Sequence, residues 1–265
     1  MIVDFDPIAF ALGPLEIRWY SLAYIAGFLL GRSYMIRLAE TFARHSAISV
    51  KTIDDLFLYA VLGVIVGGRL GFVMIYWPQY YWQNPLEILL IWNGGMAFHG
   101  AVIGMGVAIW AITKRDGISL FALSDLVAAA APIGLFLGRL ANFINGELWG
   151  YPTQLPIGMI FPRIDLQPRH PTQLYEAGLE GAVLGFFLYY MIRKHHALAS
   201  TGLITGLMLS GYGVGRIIVE FWRAEDAQIG LLLFDLSMGQ WLSIPLVLFG
   251  IWCIYKARRP FANDF

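Results

Sequence analysis

Seven stretches of this chain stay apolar for roughly the 20 residues that a helix needs to cross hydrocarbon. They lie at about 17–37, 54–77, 88–112, 120–143, 173–193, 201–222 and 239–257. In lipid every backbone N–H and C=O must be satisfied within the protein, so runs of this length predict membrane-spanning α-helices. With 58% hydrophobic and only 14% charged residues, the chain is far poorer in charge than soluble domains, which average about 25%. The sequence therefore predicts an all-α, polytopic membrane protein of about seven transmembrane helices. Residues 1–265 read as a single transmembrane domain, with an outer-side loop segment at about 151–171 that is too polar to span. That loop carries Pro152, Pro156, Pro162 and Pro168 and suits either a mobile cover or a rigid loop. The third run is interrupted by glycines, so its boundaries are the least defined.

Basic residues set the orientation. Arg32, Arg37, Arg44, Lys51, Lys114, Arg115, Arg193, Lys194, Lys256, Arg258 and Arg259 fall on one side of such a bundle. Arg18, Arg163, Arg169 and Arg223 fall on the other. The positive-inside rule then puts the N-terminus out and the C-terminus in. Tyr76-Trp77 and Tyr80-Tyr81-Trp82 suit the outer interface, and Trp19-Tyr20 reads as an aromatic anchor of the first span. A net charge of zero gives no support for a nucleic-acid partner. The lone Cys253 excludes a disulfide framework within the chain and reads as a small core or lipid-facing residue. The first 20 residues lack the basic region and cleavage site of a signal peptide.

Against this background the polar residues inside the spans stand out. GRLANFINGELWG, residues 138–150, ends the fourth run with Arg139, Asn142 and Asn145 on roughly one helical face and Glu147 at its end. An arginine at bilayer depth costs ~2.5–3.5 kcal/mol on insertion scales, so it faces protein or a wet cavity. Arg69, Arg139 and Arg216 all lie toward the outer ends of their runs. The reading has them converge on one electropositive cavity, and guanidinium selects phosphate because it binds it bidentately. In GYGVGRIIVEFWR, residues 211–223, Tyr212, Arg216 and Glu220 stack at i, i+4 and i+8. An internal Arg216–Glu220 ion pair that fixes packing is the plainer account of that spacing, and such a pair can also aim its arginine at a ligand. His99, within WNGGMAFHGAVIGMG, is the only histidine in a predicted span. Gly94 and Gly95 break the helix before it, Gly100 and Gly104 permit close approach after it, and imidazole accepts protons near neutral pH. His45, His195 and His196 flank solvated ends. RHPTQLYE, residues 169–176, read alone, is a polar interfacial helix cap with Glu176 one turn in. Histidines and acids nowhere cluster at ligand spacing, so no metal is expected.

GRLANFINGELWG resembles the signature of the bacterial phosphatidylglycerol–prolipoprotein diacylglyceryl transferases. The resemblance extends in order through IRWYSLAYIAGF, GGRLGFV, NGGMAFHGAVIG, RHPTQLYE, GYGVGRIIVEFWR and SMGQWLSIP, nearly the whole chain. Such an enzyme moves the diacylglyceryl group of phosphatidylglycerol onto the lipobox cysteine of a prolipoprotein signal peptide, forming a thioether and releasing glycerol 1-phosphate. The resemblance implies essential roles for His99, Arg139, Asn142, Tyr212 and Arg216, with Tyr20, Asn145, Glu147, Gly150 and Glu220 in support. It implies no cofactor, and a multi-pass protein of the bacterial cytoplasmic (inner) membrane whose active site faces the outer leaflet. Asn93, Ala101 and Ala141 depart from the usual aspartate, glycine and glycine, which touches local helix contacts more than the chemistry. On this reading both arginines clamp the phosphate, Asn142 fixes the glycerol, and His99 or Tyr212 assists thiol deprotonation. A lipid transporter or flippase is the alternative, but the polar motifs show none of the internal repeats expected of one.

Overall fold

A computed structural model describes residues 1–13, 15–41, 47–224 and 236–257. Arg44, Arg258 and Arg259 of the charge count lie outside them, as does His45. Each predicted run contains a helix: α1 (Trp19–Thr41), α2 (Val50–Ile75), α4 (Phe98–Asp116), α5 (Leu120–Asn145), α6 (Thr172–Glu176) leading into α7 (Leu184–His195), α8 (Leu203–Glu220) and α9 (Met238–Ala257), with a short α3 (Pro78–Gln83) between α2 and α4. Among the described residues, α2, α5, α8 and α9 are long and apolar enough to cross a membrane. Their outward faces are apolar as well. On α2, Leu58, Leu62, Val66 and Leu70 form an exposed stripe at every fourth residue, a surface suited to lipid and costly in water.

Two details depart from the all-α reading. A hairpin of β1 (Ile8–Leu12) and β2 (Leu15–Arg18) precedes α1, and a two-residue ribbon of β3 (Met159–Ile160) and β4 (Pro168–Arg169) lies in the loop after α5. Val3 donates to the Ile160 carbonyl at 2.8 Å and Ile160 to that of Met1 at 2.9 Å, so the first residues pair with this ribbon. The third run begins its helix late. Residues 85–89 and 91–93 are 3-10 turns, Gly94 and Gly95 adopt φ of +81° and +80°, and α4 starts only at Phe98.

Two compact units make up the chain: Met1–Arg37 with Asp125–Phe265, and Leu38–Ser124. In the second, α2 and α4 meet through glycines at every fourth residue, Gly63, Gly67 and Gly71 against Gly100 and Gly104, so close that a Cβ at Gly67 or Gly100 would collide with the opposite backbone. Arg69 holds the irregular segment between these helices. Its guanidinium donates to five backbone carbonyls, those of Ile88 (2.8 Å), Gly94 (2.6 Å), Gly95 (3.2 Å), Glu87 (2.6 Å) and Leu90 (3.4 Å). With all five N–H groups engaged, Arg69 is a structural clasp, contrary to its expected place in a phosphate cavity.

In the first unit, α8 begins at a carboxylate borrowed from α5. Asp125, fully buried, accepts from Gly202 N (2.6 Å), Thr205 N (2.8 Å) and Thr205 Oγ1 (2.6 Å). These are orphan donors of a helix start, next to the positive end of its dipole. Asp125→Ala is expected to destabilise the protein by ~1–2 kcal/mol, as loss of a cap does, read as a lowered unfolding temperature in detergent. An unchanged midpoint would show that α8 does not depend on this cap. Cys253 is buried in α9 and belongs to the core.

Candidate active site

Six charged side chains from α5, α6, α8, the π-type turn after α6 and the turn after α8 form one buried cluster in the first unit. Its centre is Glu176, the last residue of α6, at 0% exposure. Its Oε1 takes Arg216 Nη1 of α8 in a short contact and Arg223 Nη1 at 2.8 Å; its Oε2 lies 3.2 Å from Arg139 Nε of α5. Arg216 Nη2 is also paired with Glu220 Oε2 at 3.0 Å, and Arg139 Nη2 lies 3.7 Å from Glu180 Oε2. Glu180 is the second acid of the helix, in the π-type turn Ala177–Val183 that carries α6 into α7. The widened turn directly follows the cluster's centre, a position where such turns recur at functional sites. Three guanidiniums face three carboxyl groups, so the site is close to charge-balanced and is not a bare cationic cavity. The arginines keep about 15% of their side-chain surface open while Glu176 and Glu180 keep none. The arginines, and not Glu176 or Glu180, thus keep side-chain surface that a ligand can reach.

The turn after α5 is built beside this cluster. Asn142 and Asn145 both donate to Glu147 Oε1, at 2.8 and 3.3 Å. The backbone then turns through Gly146 (φ +68°) and Leu148 (φ +61°), a left-handed conformation that is rare for leucine. Residues of α6 hold it there: Gln173 Nε2 donates to the Glu147 carbonyl at 2.6 Å and Thr172 Oγ1 to that of Leu148 at 2.8 Å. Gly150 follows, its N–H on the His170 carbonyl (2.9 Å) and its own carbonyl accepting from Arg169 Nη1 (3.3 Å). A Cβ there would stand 2.7 Å from that of His170, so residue 150 has to be glycine. Tyr151 N donates to Trp222 O (2.9 Å) and Ala224 N to Trp149 O (3.2 Å), tying this strand to the chain that bears Arg223.

Outside the spans, Arg169 is paired with Asp165 at 2.5 Å and holds that carboxyl below the usual carboxylate range. His170 Nδ1 lies 3.0 Å from the Tyr175 hydroxyl, and burial pushes its imidazole below its ordinary value. The folded protein therefore binds this proton less tightly than the unfolded chain. The stability it contributes is full above the unfolded value, near 6.5, and is lost as pH falls from there through the lower folded value. Between pH 7.5 and 5.5 the unfolding temperature should drop more steeply for the unaltered protein than for His170→Gln. Equal slopes would remove His170 from the acid response.

An apolar cleft of about 610 Å³ opens beside Arg139's helix, lined by Phe5, Ile8, Trp19, Leu140, Phe143 and Ile144 with Asp6 at its edge.

The sequence model of the family described as Prolipoprotein diacylglyceryl transferase matches residues 7–256. The chain belongs to this family. Relatives named phosphatidylglycerol–prolipoprotein diacylglyceryl transferase include those of Azospirillum brasilense (52% identical, covering 96% of this chain and 95% of the relative), Methylocella silvestris (47%; 96% and 94%) and Rickettsia conorii (48%; 96% and 98%).

Of the residues that the resemblance to these transferases picks out, Arg139, Asn142, Asn145, Glu147, Gly150, Arg216 and Glu220 come together in the first unit as described. Tyr212 lies one turn before Arg216 on α8, half-buried. Tyr20 is the second residue of α1 and accepts a hydrogen bond from the Tyr24 hydroxyl at 3.1 Å. His99 is the second residue of α4, in the other unit. The Arg216–Glu220 pair expected from spacing is present, yet Arg216 is shared with Glu176. RHPTQLYE does start a helix, with Pro171 at its cap, and beyond that it shapes the signature turn and supplies the central carboxylate. Glu176, Glu180 and Arg223 are the site members that sequence reasoning did not assign. Two acids four residues apart in an apolar helix were the available signal, because intramembrane acids demand partners.

Proposed function

We propose that the chain transfers the sn-1,2-diacylglyceryl group of phosphatidylglycerol to the lipobox cysteine thiol of a prolipoprotein, the first step of bacterial lipoprotein maturation. The supporting observation is that Arg139 and Arg216, on different helices, reach one buried carboxylate while 15% and 14% of their side chains stay exposed. Phosphate and Glu176 are rival ligands for the same two guanidiniums, so the headgroup binds by exchange with a carboxylate. Asn142 and Glu147, bonded to each other, present polar atoms to the glycerol portion. The thiolate forms a bond to the diacylglyceryl carbon as the carbon–oxygen bond to phosphate breaks, and the arginines stabilise the charge gathering on the departing glycerol 1-phosphate. A free thiol titrates near 8.5, so a base or a positive field assists it; His99 and Tyr212 are the candidates. The reaction calls for no metal or cofactor.

The same reading places about seven spans in the bacterial cytoplasmic membrane, N-terminus out and C-terminus in, with the arginine cluster toward the outer leaflet. Phosphatidylglycerol and lipobox-containing signal peptides are its two substrates. The test incubates the purified protein with phosphatidylglycerol and a lipobox peptide, and looks for a diacylglyceryl mass increase on cysteine. No increase, with lipid crossing leaflets instead, would replace this reading by a flippase.

A further inference from the structure

Gly239 touches the site from within SMGQWLSIP, a block for which the resemblance implies no residue role. It lies in the first turn of α9, and the carboxylate of Glu220 is packed against its Cα. A Cβ built at residue 239 would stand 2.8 Å from the carboxyl carbon of Glu220 and 2.8 Å from each of its oxygens, closer than real side chains approach. The start of α9 is held independently of that glycine. Ser237 Oγ accepts from Gln240 N at 3.2 Å and Gln240 Oε1 from Ser237 N at 3.0 Å, a reciprocal capping box. Gly239 sits within ordinary helix, where alanine is the better helix former.

What the missing side chain provides is room for a charge. The Glu220 carboxylate rests at the positive end of α9, a favourable place for an anion, and from there takes Arg216 Nη2 at 3.0 Å. Arg216 Nη1 goes to Glu176. The guanidinium is therefore fixed from both sides, and one of the two anchors stands where it does because residue 239 has no Cβ.

We propose that Gly239 is a positioning residue for the transfer reaction, acting on the phosphate-binding Arg216 through Glu220. The inference rests on the functional reading above, in which Arg216 meets the substrate. An alanine displaces only the free end of a side chain, so the carboxylate swings aside while α8 and α9 stay packed. Arg216 then loses its second anchor in a protein that is otherwise folded.

A double-mutant cycle tests this with the full-length protein. The unaltered chain, Gly239→Ala, Glu220→Ala and the double variant are assayed for transfer from phosphatidylglycerol to a lipobox peptide. Gly239→Ala is expected to lower kcat by roughly tenfold to a hundredfold, the scale of a misplacement of about 1 Å, with an unfolding temperature equal or higher. In the Glu220→Ala background the same alanine should change kcat by less than about twofold, since the group it displaces is gone. The four proteins are also titrated with phosphatidylglycerol in mixed micelles, a binding readout with the same expected pattern if the Glu220→Ala rate is too small to resolve. Equal losses in both backgrounds, or no loss in either, would overturn the role of Gly239. An unaltered protein that transfers nothing would overturn the functional reading itself, and this inference with it.

Discussion

Arg216→Ala is expected to lower transfer to a lipobox peptide by at least about a thousandfold while leaving a folded protein. A single donor aimed at developing charge is worth roughly 10²–10³ in rate, and Arg216 offers two amino groups in a setting from which water is largely withdrawn. The fold should survive because Glu176 keeps Arg139 and Arg223 after the change. Arg216→Lys should recover little. A lysine carries one compact ammonium, which cannot span Glu176 and Glu220 as the planar fork does, nor present two parallel donors to a phosphate. The measurement is turnover of both variants in detergent, with circular dichroism to confirm helix content. Near-normal turnover in Arg216→Ala would sink the phosphate clamp.

The contrast between Arg216 and Arg69 shows what a sequence does and does not disclose. Both are intramembrane arginines near the ends of apolar runs, and the insertion cost that flags them is the same. Their partners differ. Arg69 finds five carbonyls within residues 87–95, because two glycines at positive φ unwind the chain in front of it. Carbonyls carry no sequence signature, so that clasp was not legible. The helices themselves were, since length and apolarity alone decide whether a segment suits lipid. Only the third run started late, at the same two glycines.

The centre of the site was hidden for a related reason. Spacing rules reveal neighbours three or four residues apart, and they did find Arg216–Glu220. Glu176 meets Arg216 across 40 residues and Arg223 across 47. No periodicity encodes such pairs; only the packing of α5, α6 and α8 does. Its four-residue partner Glu180 is the trace that remained in the sequence, two acids on one face of a helix otherwise built for lipid.

Glu176→Gln carries the second large effect, on stability and on product release together. The substitution keeps the volume of a fully buried side chain but removes the charge that three guanidiniums share. Breaking a buried pair from one side typically costs 3–5 kcal/mol, and a loss of about that size is expected here, read as a markedly lower unfolding temperature. Phosphate added during the melt should restore part of it by occupying the unpaired arginines, and restore less in the unaltered protein, where Glu176 competes. The same rivalry bears on turnover. Glycerol 1-phosphate leaves a site in which a carboxylate stands ready to replace it; without that carboxylate the product stays longer. Glu176→Gln should therefore be inhibited by glycerol 1-phosphate at concentrations about tenfold lower, with kcat reduced more than kcat/KM for the lipid. If the variant melts like the unaltered protein and its product inhibition is unchanged, Glu176 is not the ligand that phosphate displaces, and the exchange step has to be assigned to Glu220.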